Sequence, residues 1–271
     1  MKNCFLYFKT LVVFLLIVTA CKKETPAPVT QSSPVSGAVV GFLNIRDEFG
    51  NMLASQSGVK VKIENASPEI SALTDSNGRF ILNKVKPGPL SLVIEGPGFE
   101  PTKEFFNNVS TGGESPFFLN SLYEEGFYRS PWILCERSTT SVTDVGVSPY
   151  DPEYPYGRQV IRGLLSNERG NGGYLIFFGK DGTVSKDNYL YSTDQQKYYY
   201  PEVAQGQSTG EFTNFIPTSL LYSFGFTKGD RVYFVVYGAP KYLNTYIDLN
   251  TRKNIFTNLS SSPSNVSSFI L

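Results

Sequence analysis

Histidine is absent from this sequence, and cysteine, methionine and tryptophan are scarce, at three, two and one in 271 residues. Without histidine the chain lacks the commonest metal ligand and the side chain that most often acts as general base near neutral pH. Cysteine chemistry is as restricted. Cys4 and Cys21 fall in the first 21 positions, which leaves Cys135 alone and no internal disulfide framework to draw. Cys135 ends the apolar run Trp132-Ile133-Leu134-Cys135 and reads as a small buried hydrophobe, since a nucleophilic thiol would want a histidine beside it. The nucleophile motif Gly-x-Ser-x-Gly is missing as well. Nor is there a surplus of charge: Lys and Arg number 24 against 24 Asp and Glu, which offers no basic field for nucleic acid or an anionic bilayer.

Long hydrophobic runs are absent too. The uncharged stretch 10–21 is too short to cross roughly 30 Å of hydrocarbon as a helix, and extending it back to Cys4 takes in Lys9. A basic start, a short apolar core and the small Ala20 before Cys21 instead have the build of an export signal. Val18-Thr19-Ala20-Cys21 resembles the lipobox of bacterial lipoproteins, in which the cysteine thiol receives diacylglycerol and becomes the new N-terminus. The resemblance implies residues 1–20 as signal peptide, Cys21 as the lipid attachment point, and membrane anchorage through two or three acyl chains. Lys22 rather than Asp after the cysteine points, by the same resemblance, to the outer membrane, with the periplasmic face and the cell surface both open. The competing readings are a retained transmembrane helix and an ordinary secretory signal with an incidental cysteine.

What the sequence does have is 21 Phe, 17 Tyr, 24 Gly and 17 Pro, a composition of short strands and tight turns. Residues 21–34 are polar and proline-rich and read as a tether. From 35 to 122 strand follows strand. Val59, Val61 and Ile63 alternate with charges, Asp47 to Asn51 reads as a turn, 75–78 reads as the turn of a hairpin, and Leu90, Leu92 and Ile94 mark another half-buried strand. Such sheets must pack face to face, giving a β-sandwich.

Ser36-Gly37-Ala38-Val39, Gly58-Val59-Lys60-Val61, Thr74-Asp75-Ser76-Asn77-Gly78-Arg79-Phe80, Val85-Lys86-Pro87-Gly88 and Gly98-Phe99 together resemble the carboxypeptidase regulatory-like domain. This implies a seven-stranded transthyretin-like (prealbumin-type) sandwich over about 35–120, a non-catalytic module common in exported proteins of Bacteroidetes-type bacteria. The longer 47–57 loop and Pro89-Leu90 after Gly88 depart from that pattern.

Residues 129–271 resemble no family but continue in β. Strands are expected over 158–165, 174–178, 245–249 and 266–271, with Asp181-Gly182 as a hairpin turn. The segment 212–221 is ambiguous because of Pro217. Arg231 to Tyr237 is apolar on both parities, so that strand is central or has its second face covered. The expected class is all-β, two sandwiches, the second immunoglobulin-like or jelly-roll-like.

Candidate sites follow from residue chemistry. Tyr198, Tyr199 and Tyr200, with Tyr189 and Tyr191 upstream, could offer flat rings to a sugar or protein, though some must pack in the core. Asp75 and Asn77 suit a turn better than calcium. Asp144, Asp151 and Glu153 are carboxylates in a proline-rich stretch. No catalytic residue, metal ligand or cofactor is assigned. The leading expectation is a non-catalytic envelope lipoprotein whose first domain carries a glycan- or protein-binding second domain. The alternatives are a structural subunit of a surface assembly docking through 231–237 or the C-terminus, and a carboxylate-based hydrolase.

Overall fold

The structure is a computed structural model that describes residues 36–113, 115–120, 131–148, 157–170, 172–193 and 209–271. Cys21 and the tether lie outside these residues. In the first half the strands are β1 (Gly37–Arg46), β2 (Lys60–Ile63), β3 (Ser71–Leu73), β4 (Arg79–Val85), β5 (Gly88–Gly96), β6 (Phe99–Val109) and β7 (Phe117–Phe118). They form two sheets, β4-β1-β7 and β3-β2-β5-β6. Alternation decides which side chains meet between them. Val39, Leu43 and Ile45 of β1 and Phe80 and Leu82 of β4 face Val61 of β2 and Leu90, Leu92 and Ile94 of β5 in one buried cluster. The exposed parity of β2 carries Lys62, which pairs with Glu95 of β5 at 2.9 Å.

Residues 75–78 make the expected turn but not a hairpin, because β3 pairs with β2 while β4 pairs with β1. The turn is a corner between sheets. Asp75 Oδ1 accepts the N–H groups of Asn77 and Arg79 at 2.8 and 3.0 Å, which is local turn chemistry. Gly78, at φ 75°, lies so close to β1 that a Cβ would stand 2.1 Å from the Leu43 carbonyl oxygen.

Two carboxamides complete β1 where strands do not. Asn120 accepts from Phe42 N–H at 2.6 Å and donates to Phe42 O at 2.9 Å. Gln56 does the same for Ile45, at 2.6 and 3.0 Å. Each side chain stands in for one residue of a neighbouring strand, meeting the rule that buried backbone groups be paired.

The second half begins with β8 (Trp132–Cys135), which runs parallel to β1 from Leu43↔Trp132 to Arg46↔Cys135. The later part of the chain thus adds a strand to the first sheet, and Val35–Leu271 is one compact unit. Then come β9 (Ser141–Ser148), β10 (Arg158–Ser166), β11 (Gly173–Gly179), β12 (Tyr191–Ser192), β13 (Thr209–Pro217), the one-turn helix α1 (Thr218–Ser223), β14 (Arg231–Ala239), β15 (Thr245–Ile247), β16 (Asn254–Phe256) and β17 (Ser267–Ile270). Sheet β13-β10-β9 packs against sheet β12-β11-β14-β17, and β15 and β16 form a two-stranded ribbon. The architecture is all-β, as the composition indicates.

β14 lies between β11 and β17 with both faces covered. Val232, Phe234 and Val236 enter the core against Ile161 and Phe212, while Val235, Tyr237 and Ala239 join Val184, Tyr189, Phe256 and Leu259 on the other side. This explains its unbroken apolar run, and it leaves β14 no free edge for docking a partner. Pro217 ends β13, which occupies the edge of its sheet, where a missing N–H costs no ladder bond. Asp181-Gly182 closes no two-residue hairpin: β12 pairs with β11 only at Tyr191 and Ser192, after the long 180–190 connection. That connection folds back to cover β11 and β14 with Val184 and Tyr189.

Candidate functional site

The seam between the halves is polar where the cores are apolar. Cys135 Sγ donates to Asp47 O at 2.9 Å, and Lys241 N–H donates to Glu48 O at 2.8 Å. Asn244, a third carboxamide in a strand's place, accepts from Cys135 N–H at 3.0 Å and donates to Cys135 O at 2.7 Å. Burial pushes the Cys135 thiol up to about 11, with Asp47, Glu136 and Glu48 adding to the effect. It is a packing residue and an inert thiol.

Glu48 is the centre of this seam. Asp47 Oδ1 caps the turn after β1 by accepting from Phe49 and Asn51 N–H, which sends Glu48 inward, where it is 3% exposed. Its carboxylate accepts from Thr139 N–H and Oγ1, both at 2.7 Å, and from Asn167 Nδ2 at 3.1 Å. Arg169 lies 3.5 Å from Glu48 and 3.7 Å from Glu136, with its guanidinium 5.4 Å from the centre of the Phe49 ring. A buried carboxylate survives only when several donors replace its water, and here donors from two segments of the second half do so.

Above Glu48 the surface opens into a concavity of about 450 Å³ lined by Gly98, Phe99, Glu136, Arg137, Thr139 and Arg169. The Gly96-Pro97-Gly98 turn delivers half-buried Phe99 at the start of β6. Glu136 and Arg137 follow β8, and Arg169 comes from the β10–β11 turn, in which Arg169 N–H donates to Asn167 Oδ1 at 2.9 Å. Arg137 is paired with Glu100. Both guanidinium groups therefore have carboxylate partners, although about half of the Arg169 side chain stays open to solvent. The wall sets three carboxylates, Glu48, Glu100 and Glu136, against two guanidinium groups, a mixed set of donors and acceptors beside an aromatic ring in an open depression. Such a wall suits a neutral, hydroxyl-rich ligand better than an anion, which would have to displace Glu48, Glu100 or Glu136 from its arginine.

The tyrosines singled out from sequence lie elsewhere. Tyr189 is 6% exposed and donates its hydroxyl to Asn254 O at 2.9 Å. Tyr191 is fully buried and stacks between Phe178 and Phe224 at 5.6 and 4.4 Å. As placed, both rings pack in the interior and offer no face to solvent. Tyr198, Tyr199 and Tyr200 lie outside the described residues, as do Asp151 and Glu153. Asp144 sits on β9 at φ 52°. Among the described residues no cluster of three or more metal-ligating side chains is present. Asn258, in an N-glycosylation pattern, is 1% exposed and bonded to Asn244 and Tyr242, so its amide is structural. The concavity residues went unmarked in the sequence because they come from three distant segments; the one local signal was a charged pair, Glu136-Arg137, directly after an apolar strand.

Neither a protein family nor a curated protein matches this sequence. Among solved structures, a Bacteroides uniformis protein to which carbohydrate binding is ascribed superposes with TM-score 0.30 and 14% identity, covering 88% of this chain and 100% of its own. A DUF3823 family protein from Bacteroides ovatus gives 0.28 and 10%, over 87% and 99%. A cohesin–X-dockerin complex from Acetivibrio cellulolyticus gives 0.26 and 22%, over 36% and 56%. At these values the likenesses carry no argument about what the chain binds.

Proposed function

We propose that this protein is a non-catalytic lipoprotein of the bacterial outer membrane, anchored through Cys21, that binds a neutral glycan in the concavity between its two halves. The observation that carries the reading is the wall of Glu136, Arg137, Thr139 and Arg169 beside Phe99, in which both guanidinium groups have carboxylate partners. Paired guanidinium and carboxylate groups can each bridge adjacent sugar hydroxyls without gaining or losing net charge, and an apolar ring accepts the C–H face of a pyranose. The first half is read as a carboxypeptidase regulatory-like domain, a reading supported by its seven strands in two sheets and by the motifs quoted above. That module acts as the stalk on the 21–34 tether.

Two measurements test the proposal. The full chain in detergent, applied to a glycan array, is expected to select neutral polysaccharides. Arg169→Ala and Phe99→Ala should each weaken the best hit by about tenfold or more; undiminished binding in both variants places the ligand elsewhere. Cys21→Ala is expected to move the protein from the membrane to the soluble fraction of expressing cells, because the attachment energy resides in the acyl chains. Retention of that variant in the membrane overturns the anchor.

A further inference from the structure

A second, smaller pocket lies along β8, and its chemistry differs from that of the concavity. The register of β6 against β5 sets Thr102 opposite Ile94, Glu104 opposite Leu92 and Phe106 opposite Leu90. Leu90, Leu92 and Ile94 are all buried in the first core, so Glu104 occupies the inward-facing parity of its strand. It lines a cavity of about 70 Å³ together with Thr102, Trp132, Ile133, Asn244 and Thr245. No hydrogen bond or ion pair reaches its carboxyl among the described residues, and burial alone holds its pKa above the ordinary carboxylate value. Lys103, the adjacent cation, points to the opposite face, where it pairs with Glu64 at 2.5 Å and lies 5.6 Å from the Tyr246 ring centre.

We propose that this pocket binds a protonated primary amine, with the ammonium group held between the Glu104 carboxylate and the Trp132 indole. Three features define the ligand. An uncompensated carboxyl in a half-buried site calls for a cation that brings its own donors. The hydroxyls of Thr102 and Thr245 make no hydrogen bond to a described residue and supply the remaining acceptors, whereas the Asn244 amide is committed to Cys135. Trp132 packs against Phe80 and Phe106, with ring centres 6.1 and 5.5 Å away, and the part of the indole that lines the cavity attracts a cation within about 6 Å. Since one water needs roughly 10–15 Å³ of such space, about 70 Å³ admits an aminomethyl tip and excludes a sugar ring.

The proton balance follows. A Glu104 carboxylic acid releases its proton to solvent and pairs with the ammonium, so affinity rises as pH climbs through the elevated Glu104 pKa. It falls again when the amine itself loses its proton. An inward charge on an edge strand also discourages wrong strand pairing; that role alone predicts no response to amines.

Trp132 is the one tryptophan of the chain, so its fluorescence reports on this pocket. Titrating the full chain with methylammonium chloride at fixed ionic strength is expected to give a saturable change, with half-saturation on the order of 10 mM or weaker for so small a probe. Sodium chloride and tetramethylammonium, which lack N–H donors, should leave the signal flat. Glu104→Gln keeps the shape, removes the charge and should abolish the response, while Glu104→Asp should retain a weakened one; matching circular dichroism and urea midpoints confirm that both variants fold. A response unchanged in Glu104→Gln, an equal response to sodium, or no saturable change overturns the proposal. The test leaves Phe99 and Arg169 untouched, so its outcome is independent of glycan binding.

Discussion

Glu48→Ala is expected to lower the urea midpoint with unchanged slope, a loss of about 3 kcal/mol. The alanine leaves Thr139 N–H and the Asn167 amide without the carboxylate they now share at 2.7 and 3.1 Å, in a place water does not reach freely. Breaking a buried ion pair from one side often costs about 3–5 kcal/mol, but Arg169 is half exposed, with 52% of its side chain open to solvent, and recovers part of that by hydration. Glu48→Gln separates shape from charge. It preserves one acceptor for Thr139 N–H, and the Thr139 hydroxyl can turn to accept instead of donate, so the loss should fall to about 1 kcal/mol. Equal midpoints for Glu48→Ala and the wild type would show that the seam contributes nothing to stability.

Gly238→Ala should be at least as damaging, at roughly 3 kcal/mol or more. Thr140 is fully buried and its chain crosses β14 in a notch formed by Gly172 and Gly238. A Cβ on Gly238 would stand 2.1 Å from the Thr140 carbonyl oxygen and 2.9 Å from its carbon. Main chain cannot rotate aside as a side chain does, so the crossing segment, which also carries Thr139 to Glu48, has to lift. Gly146→Ala is the matched control. That glycine is exposed on β9, with nothing within 4 Å of its added Cβ, and its urea midpoint should stay within about 0.5 kcal/mol of the wild type. If the two variants unfold together, the notch is not a constraint.

Local periodicity made much of the fold legible, and the partners of each strand much less so. Val59, Val61 and Ile63 announce a half-buried strand by alternation, and 231–237 announces a doubly covered one by its lack of alternation. Both properties belong to a single strand and need no partner to be read. The turns at 75–78 and 181–182 carry turn residues equally plainly, yet neither closes a tight hairpin: 75–78 turns a corner between sheets and 181–182 opens a long connection back to β12, because turn chemistry reports local backbone geometry and is silent on where the next strand pairs. The seam was hidden for the same reason. Glu48, Arg137 and Arg169 are unremarkable in a charge-balanced sequence until β8 pairs with β1 and the Asn167–Gly170 turn swings onto Phe49. A tyrosine ring suits an interior as well as a surface, which is why composition alone does not place Tyr189: it fills a gap beside Phe177 and Phe256, at 5.1 and 6.1 Å between ring centres.

The parallel pairing of β1 with β8 also has a consequence in time. A ribosome delivers the N-terminal strands first, at roughly 5–20 residues per second, so Leu43 to Arg46 wait several seconds for Trp132 to Cys135 to be made. Throughout that interval the first sheet has an open, apolar edge, able to accept a strand from another nascent chain. Export in an unfolded state would let the whole chain arrive before β1 commits, and refolding from denaturant should be slow and concentration-sensitive for the same reason. Dilute refolding should then recover more monomer than concentrated refolding, and a soluble peptide spanning residues 131–136 added at the start should narrow the difference.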